Sequence, residues 1–427
     1  MGRSSTEVTP SIDHHHLLGQ PADLAGHLRQ HGSLPVPESA DRNWQQRFLE
    51  LLAASGLAGR GGASFPSAVK LQVARAAGVR GTVVVNAMEG EPASDKDKVL
   101  LLRAPHLVLD GAQLLAAACG AERVVVCLPV GRDRVADAVA LALAERAALR
   151  YTRVGEALAR PPDRFVAGEE SALAQWLDSG LSLPTFRPDK GVALRIAGRQ
   201  ALVYNTETLA HIGLIGRQGV AAFRAQGITE EPGTCLITIT GSVMHPGVVE
   251  VPRGTPLRDI ITSSVPSEPV DALLVGGYGG TWVGPPHFAT PYASLSLRTI
   301  GATAGVGVIV VLGDHGCGIA ESARIAHFLA SQSSGQCGPC VFGLPAVADD
   351  LTLLAEGRPD AELMPRLLRR LDQIQGRGAC RHPDGAVALV RSALGVFADD
   401  VAAHQAGRPC AYAHRPTVLR IPLMAGT

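Results

Sequence analysis

Apolar residues recur along the chain in two rhythms, and the points where one gives way to the other mark its organisation. Trp44 to Ala54 has the spacing of a short helix, Ser55 to Pro66 reads as a loop, and Ser67 to Ala77 is helical again. Thr82 to Val85 is a β-branched strand running straight into a polar turn. Val99 to Cys119 reads as one helix with Gly120 as its stop. Arg123 to Leu128 is a buried strand, Arg134 to Leu149 an alanine-rich helix, and Phe165-Val166 the end of another strand before a helix over Ser171 to Leu177. Strand alternating with helix predicts an α/β fold with a parallel, Rossmann-like sheet over 44–231.

The texture changes at 232. Cys235 to Thr240 alternates as a strand, Gly241 to Gly247 turns, Val248 to Val251 is a second strand, and a short helix follows near Leu257 to Ile261. This β-rich unit is assigned to 232–317. From 318 to 408 the pattern is helical (Ile319 to Ser331, Val341 to Glu356, Leu363 to Gly376, Gly385 to Ala403) and predicts a bundle. Residues 1–43 lack periodicity and read as a flexible arm that includes His14 to His16, and 409–427 reads as a tail.

Composition narrows the functional classes. Lysine plus arginine and aspartate plus glutamate each number 39, a balance that argues against nucleic acid or an anionic membrane as the main partner. The longest clean apolar run, Val306 to Leu312, is far too short to span a bilayer, and the polar start shows no secretory signal. A cytoplasmic protein is expected, or one peripheral to a membrane complex through a partner. Its eight cysteines then read as metal, redox or core residues and not as a disulfide framework.

Four polar segments fall at strand or helix ends. Gly59-Arg60-Gly61-Gly62-Ala63-Ser64-Phe65-Pro66 puts three glycines ahead of a helix, where backbone can approach phosphate oxygens; Lys70 follows one turn later. Asn86-Ala87-Met88-Glu89-Gly90-Glu91-Pro92 lies just beyond a strand, where open α/β sheets bind ligands. Gly168-Glu169-Glu170-Ser171 repeats that placement, and Tyr204-Asn205-Thr206-Glu207-Thr208 opens a helix.

In this order, the segments resemble the GRGGAGFP, NADEGEP, GEE and NNVET motifs of the NADH-binding, FMN-carrying subunit of respiratory complex I and of its relatives in soluble hydrogenases and formate dehydrogenases. The resemblance covers roughly residues 50 to 405 and implies a Rossmann-like FMN- and NADH-binding domain, a β-grasp-like (ubiquitin-like) SLBB domain and a helical iron–sulfur-binding domain. Carried over position by position, it implies FMN contacts at or beside Gly59, Arg60, Gly61, Lys70, Asn86, Glu89, Gly168, Glu169, Glu170, Asn205 and Thr208. Positions around NADH would be Gly62, Phe65, Glu91 and Phe186. The implied activity is NADH oxidation: hydride passes to FMN, and single electrons pass on to an iron–sulfur cluster and a separate ferredoxin-type or quinone-reductase partner. Hydride transfer itself asks for no catalytic acid or base, so none is assigned. Met88 replaces the motif's aspartate, Ser64 a glycine, Phe165 a tyrosine and Tyr204 an asparagine. Val73 and Leu183 stand where the family's groove has an aromatic and a lysine.

Ser334-Gly335-Gln336-Cys337-Gly338-Pro339-Cys340 resembles the family's C-x-x-C-x-x-C, with Cys380 matching the distant fourth thiolate and Ser334 the first. The resemblance implies a [4Fe–4S] cluster on Cys337, Cys340 and Cys380 with a fourth ligand from Ser334, His382 or water. A three-iron [3Fe–4S] cluster, a Cys₃His zinc site with His382, and loss of the cluster are the alternatives. Cys119, Cys127 and Cys235 read as core, while Cys317 and Cys410 have no assigned role. The competing function is a non-redox scaffold or assembly protein that keeps the fold. A sugar-polymer-binding role for the β-rich unit fits poorly with the flanking motifs.

Overall fold

The computed structural model describes residues 17–37, 40–62, 64–76, 81–187 and 194–422, so the histidine run at 14–16 lies outside the described residues. Five strands make the first sheet: β1 (Thr82–Asn86), β2 (Arg123–Cys127), β3 (Gly155–Ala159), β4 (Leu194–Ile196) and β5 (Arg199–Asn205). Their order is β3-β2-β1-β5-β4, with β1 parallel to β2 and β5, β2 parallel to β3, and β4 antiparallel to β5. Thr82 to Val85 is buried along its whole length, as a central parallel strand covered on both faces must be. Such a strand shows no alternation, so a β-branched run is its only sequence signature.

The helices Pro105–Cys119 and Thr206–Arg224 cross in backbone contact over this sheet. A Cβ on Gly111 would fall 1.9 Å from the Leu209 carbonyl oxygen, and one on Gly213 would fall 2.6 Å from that of Leu107. Only glycine permits the crossing, which fixes where the second helix starts. The single helix expected over Val99 to Cys119 is instead two, Lys96–Arg103 and Pro105–Cys119, bent by 95°. Pro105 cannot donate into the preceding turn and its ring displaces Ala104 from helical geometry, so it opens the second helix at the first position.

The arm expected over 1–43 is corrected for its described part. Asp23 caps the helix Leu24–His31, and Leu17 and Leu24 are buried. His27 Nε2 meets Asp110 at 2.8 Å, and Asp110 also takes Arg146 at 2.8 Å and the Arg217 guanidinium. Although burial alone would raise the Asp110 carboxyl, His27 and the two arginines hold it well below the usual carboxylate range. The segment is ordered by charges more than 80 residues away, which no local periodicity can show.

The second sheet holds β6 (Thr234–Gly241), β7 (Gly247–Pro252), β8 (Val270–Val275), β9 (Thr281–Val283) and β10 (Val308–Gly313) in the order β7-β6-β10-β8-β9. β6 and β10 are parallel neighbours and the other pairs antiparallel. The helix Leu257–Thr262 buries Leu257, Ile260 and Ile261 against it, giving a β-grasp arrangement. Helices Gly318–Ser331, Leu344–Ala355, Leu363–Ile374, His382–Val396 and Ala398–Gln405 follow as a bundle. The expected helix start at Val341 is a π-turn, Pro339–Gly343, that carries Cys340. The segment after Gln405 is no loose tail up to residue 422, because Ala413 and Leu419 join the bundle core. Among the described residues no single helix is long and apolar enough to cross a membrane.

Candidate functional site

Strand order reverses between β1 and β5, and a crevice at such a switch point is the standing ligand site of open α/β sheets. The two strands end in register on Asn86 and Asn205. The glycine loop lies against this point: a Cβ on Gly61 would sit 3.2 Å from that of Asn205, and the Arg60 backbone N–H donates to Thr208 Oγ1 at 2.9 Å. Asn86 Nδ2 donates to the Gly168 carbonyl at 2.9 Å, drawing in the third segment. All four polar segments therefore meet at one place.

Many of their side chains are spent on one another. Asn86 Oδ1 accepts from Met88 N, Glu89 accepts from Ser94 Oγ and the Asp97 and Lys98 amides, and Glu169 caps the helix Glu170–Ser179. Arg60 is buried, its guanidinium donating to the Pro232 and Thr234 carbonyls beside Glu207; it pins the loop to the second sheet. Glu91 accepts from the Tyr278 and Ala93 amides, and burial pushes its carboxyl up to about 7. Thr208 Oγ1 is taken by the Arg60 amide. Met88 is 3 % exposed, packed with Val84, Val125 and Leu173 where the motif has an acid.

Sequence reasoning missed the charge centre beneath. Lys96 Nζ, buried, meets Glu207 at 2.8 Å, Asp97 at 3.0 Å and Asn205 Oδ1 at 3.4 Å. Burial alone would push this ammonium down, but the two carboxylates hold it above the usual lysine range. Its one sequence signal is the run Asp95-Lys96-Asp97-Lys98, which reads as a solvated charge cluster until the fold buries half of it.

Other groups face outward. Phe65 is 39 % exposed, Phe186 is 71 % exposed, and Gly61 and Val69 are open to solvent. Lys70, partly exposed, pairs with Glu170 and lies 5.0 Å from the centre of the Tyr204 ring. Tyr204 is itself buried, its hydroxyl donating to the Ser67 carbonyl at 2.7 Å. Ser67 Oγ, at the first residue of the helix after the glycine loop, is buried without a partner. A partly exposed cation, a helix N-terminus and an unspent hydroxyl suit a phosphate.

Cys337, Cys340 and Cys380 come together at the foot of the bundle. Burial first, then Cys380 and Cys337, push the Cys340 thiol up to about 11. Cys337 Sγ accepts from the Ala379 amide at 3.4 Å. Yet the three sulfurs do not form a group within 4.8 Å of one another, as ligands of a single ion would. His382 commits Nε2 to the Leu329 carbonyl at 2.8 Å and leaves Nδ1 buried without a partner. A mononuclear Cys₃His site is therefore not preformed, whereas thiolates set wider apart suit the larger body of an iron–sulfur cluster. Ser334, at the first position of the motif, accepts a hydrogen bond from Gln336 at 3.3 Å.

The two centres adjoin. Burial and the Glu169 carboxylate both raise the Cys380 thiol. Phe165, expected at a strand end, sits in a 3₁₀ turn (Phe165–Gly168); its ring lies 5.4 Å from that of His382, and its amide donates to Gln332. Gln336 reaches the Pro184 carbonyl at 3.2 Å.

Comparison with known proteins agrees with this layout. Residues 52–214 match the family model of the Nuo51 FMN-binding domain, 236–264 the SLBB domain, and 320–404 the iron–sulfur binding region of NADH-ubiquinone oxidoreductase-F. The chain is 29 % identical to the second F-type subunit of the NADH-quinone oxidoreductase of Rhizobium meliloti, with 86 % of this chain and 90 % of the relative aligned. It is 28 % identical to the F-type subunit of the Mycobacterium tuberculosis enzyme, with 98 % of each chain aligned. Among solved structures, an NAD⁺-reducing [NiFe]-hydrogenase in the H₂-reduced state superposes with a TM-score of 0.80 at 30 % identity, over 91 % of this chain and 66 % of that one. The chain thus spans about two thirds of that hydrogenase chain. Relatives named as subunits work within larger assemblies. With its FMN-binding, SLBB and iron–sulfur segments present in the family's order, the chain belongs to the family of F-type subunits of NADH-quinone oxidoreductase.

Proposed function

We propose that the chain is an NADH-oxidising flavoprotein subunit, with FMN and NADH held at the β1–β5 switch point and an iron–sulfur cluster on Cys337, Cys340 and Cys380. The observation that carries this reading is the meeting of four sequence-distant motifs at the paired ends Asn86 and Asn205. Lys70, the glycines Gly59, Gly61 and Gly62 and the helix start at Ser67 offer the phosphate site. Asn86, Glu89, Gly168, Glu169, Glu170, Asn205 and Thr208 form its walls, and Phe65 and Phe186, left exposed, offer faces for stacking. Glu91, buried against Tyr278, supports the turn instead of presenting its carboxylate to a ribose. When bound, the flavin would accept a hydride from NADH and the cluster would carry electrons one at a time.

The remaining work falls to the chain's own residues. The Lys96–Asp97–Glu207 centre holds the ends of both strands rigid under the cofactor. Phe165 and His382 fill the space toward the cysteines and keep water out of it. Ser334 or solvent completes the fourth cluster position, and the domains run over 44–231, 232–317 and 318–408. The electron acceptor is a separate iron–sulfur or ferredoxin-type protein, met in the cytoplasm or at a membrane complex.

Isothermal titration with FMN, then NADH, together with NADH-dependent dye reduction by the reconstituted protein, tests the reading. Saturable binding of both cofactors and dye reduction are expected. Failure to bind either would favour the scaffold alternative, which draws on Met88, Tyr204 and the self-paired walls.

A further inference from the structure

A second cluster of soft ligands stands apart from the cysteines just described. Cys317, His404 and Cys410 each turn one ligand atom inward, and the three atoms lie within 4.8 Å of one another. Cys317 caps the helix Gly318–Ser331, whereas Ser334 and Cys337 lie beyond the other end of that helix. A 14-residue helix separates the two places by about 20 Å. The two cysteines are far apart in the chain, so no local spacing links them in the sequence.

The geometry points to a zinc site formed by Cys317 Sγ, Cys410 Sγ and His404 Nε2, with water as the fourth ligand. His404 is fully buried, and its Nδ1 faces the Leu354 carbonyl at 3.1 Å. A carbonyl only accepts, so Nδ1 carries the proton and Nε2 turns its lone pair toward the sulfurs and the Cys410 amide; the Nδ1 bond is the outer hydrogen bond that orients metal-bound histidines. Nε2 lies 4.0 Å from Cys317 Sγ, close to the ligand–ligand spacing of a tetrahedral site. The Ala320 amide donates to Cys317 Sγ at 3.4 Å and helps stabilise a thiolate at the helix N-terminus.

Loading exchanges the Cys410 amide's 3.0 Å hydrogen bond to Nε2 for a metal–nitrogen bond. Two thiol protons leave as one divalent ion enters, so two thiolates, a neutral imidazole and Zn²⁺ sum to zero charge, which suits a mostly buried place. Cys410, partly exposed, admits the water. Soft thiolates with imidazole select zinc over hard cations, and zinc adds no redox centre of its own.

The site ties down the segment that follows. Beyond Cys410, the Arg415 carbonyl accepts from Arg324, Thr417 and Val418 bond Glu321, and Arg420 pairs with Asp95 beside the acidic turn. Zinc thus anchors a strap that runs from the bundle to the edge of the cofactor site.

Metal analysis of the full chain, purified under reducing conditions and passed over a weak chelating resin, reads the site directly. One zinc per chain is expected, with two sulfurs and at least one nitrogen in its X-ray absorption spectrum. Cys410→Ser, at a partly exposed position, should lower retained zinc more than about ten-fold, and Cys340→Ser should leave it unchanged. Zinc lost equally with Cys340→Ser would place the ion among the cluster cysteines and overturn the proposal. So would zinc-free protein whose Cys317 and Cys410 are free thiols or joined in a disulfide by peptide mapping.

Discussion

The nucleotide end and the cysteine end of this molecule are built on opposite principles. At the nucleotide end polar side chains are numerous, and most are already satisfied: Asn86, Glu89, Glu91, Arg60 and Lys96 each bond to other protein groups. At the cysteine end polar groups are fewer, and one of them, His382 Nδ1, is buried without a partner. The difference teaches that matching a motif residue does not make it a ligand contact. Buried polar groups in the first region shape a crevice for others, chiefly backbone, Lys70 and exposed rings, to line; in the second, under the proposed function, the motif residues would themselves be the ligands.

The strongest way to break this contrast is to remove the buried cation of the first region. Lys96→Met leaves Asp97 and Glu207 facing each other without water, and should cost about 3–5 kcal/mol of stability. Chemical denaturation would show it, and a loss within about 0.5 kcal/mol, the size of an ordinary surface change, would mean the centre is not the support described. Next in size, Cys340→Ser should remove most of the bound iron while FMN affinity stays within about two-fold; iron analysis beside flavin titration measures both. Lys70→Ala should weaken FMN binding about ten-fold, on the order of 1.4 kcal/mol, with little effect on the melting temperature. An unchanged affinity would move the phosphate elsewhere.

A smaller effect concerns Glu91. Because the folded chain holds this carboxyl's proton more tightly than the unfolded chain does, the contribution is full below about pH 4.5 and is lost as the pH rises to about 7. Glu91→Gln should therefore flatten the fall in stability across that window by on the order of 1–3 kcal/mol, read from denaturation at several pH values. Parallel curves for the two proteins would refute the burial argument. Ser334→Cys is the mildest: stability should shift by less than about 0.5 kcal/mol while the cluster's EPR signature changes.

What is legible in the sequence follows the range of the forces involved. Strands β1, β2 and β6 rest on local β-branched or apolar runs and most bundle helices on local periodicity, and these are readable. Strand β5 leaves a weaker signal, although it carries Asn205, because Arg199 and Gln200 at its start confine the apolar run to four residues and its burial comes from β1 alongside. The helix Leu24–His31 reads as an arm because Asp110, Arg146 and Arg217 order it from far along the chain. Pro105 does announce the 95° bend, but strong apolar periodicity on both sides obscures it. For the site, ordered motifs locate the crevice but not the division of labour within it. Arg60 has the look of a phosphate ligand until the Pro232 and Thr234 carbonyls take its guanidinium. Lys96 and the Cys317–His404–Cys410 group depend wholly on folding and leave no readable spacing.

In the proposed function, electrons pass from NADH through a flavin at the β1–β5 crevice to a cluster at the cysteine end. Anaerobic titration of the FMN- and cluster-loaded full chain with NADH, followed by absorbance and EPR together, tests it most directly. The account predicts bleaching of the flavin bands and a reduced-cluster EPR signal that is absent from the Cys340→Ser protein. Flavin bands that stay unbleached with NADH bound, or a cluster that stays oxidised beside a reduced flavin, would contradict it.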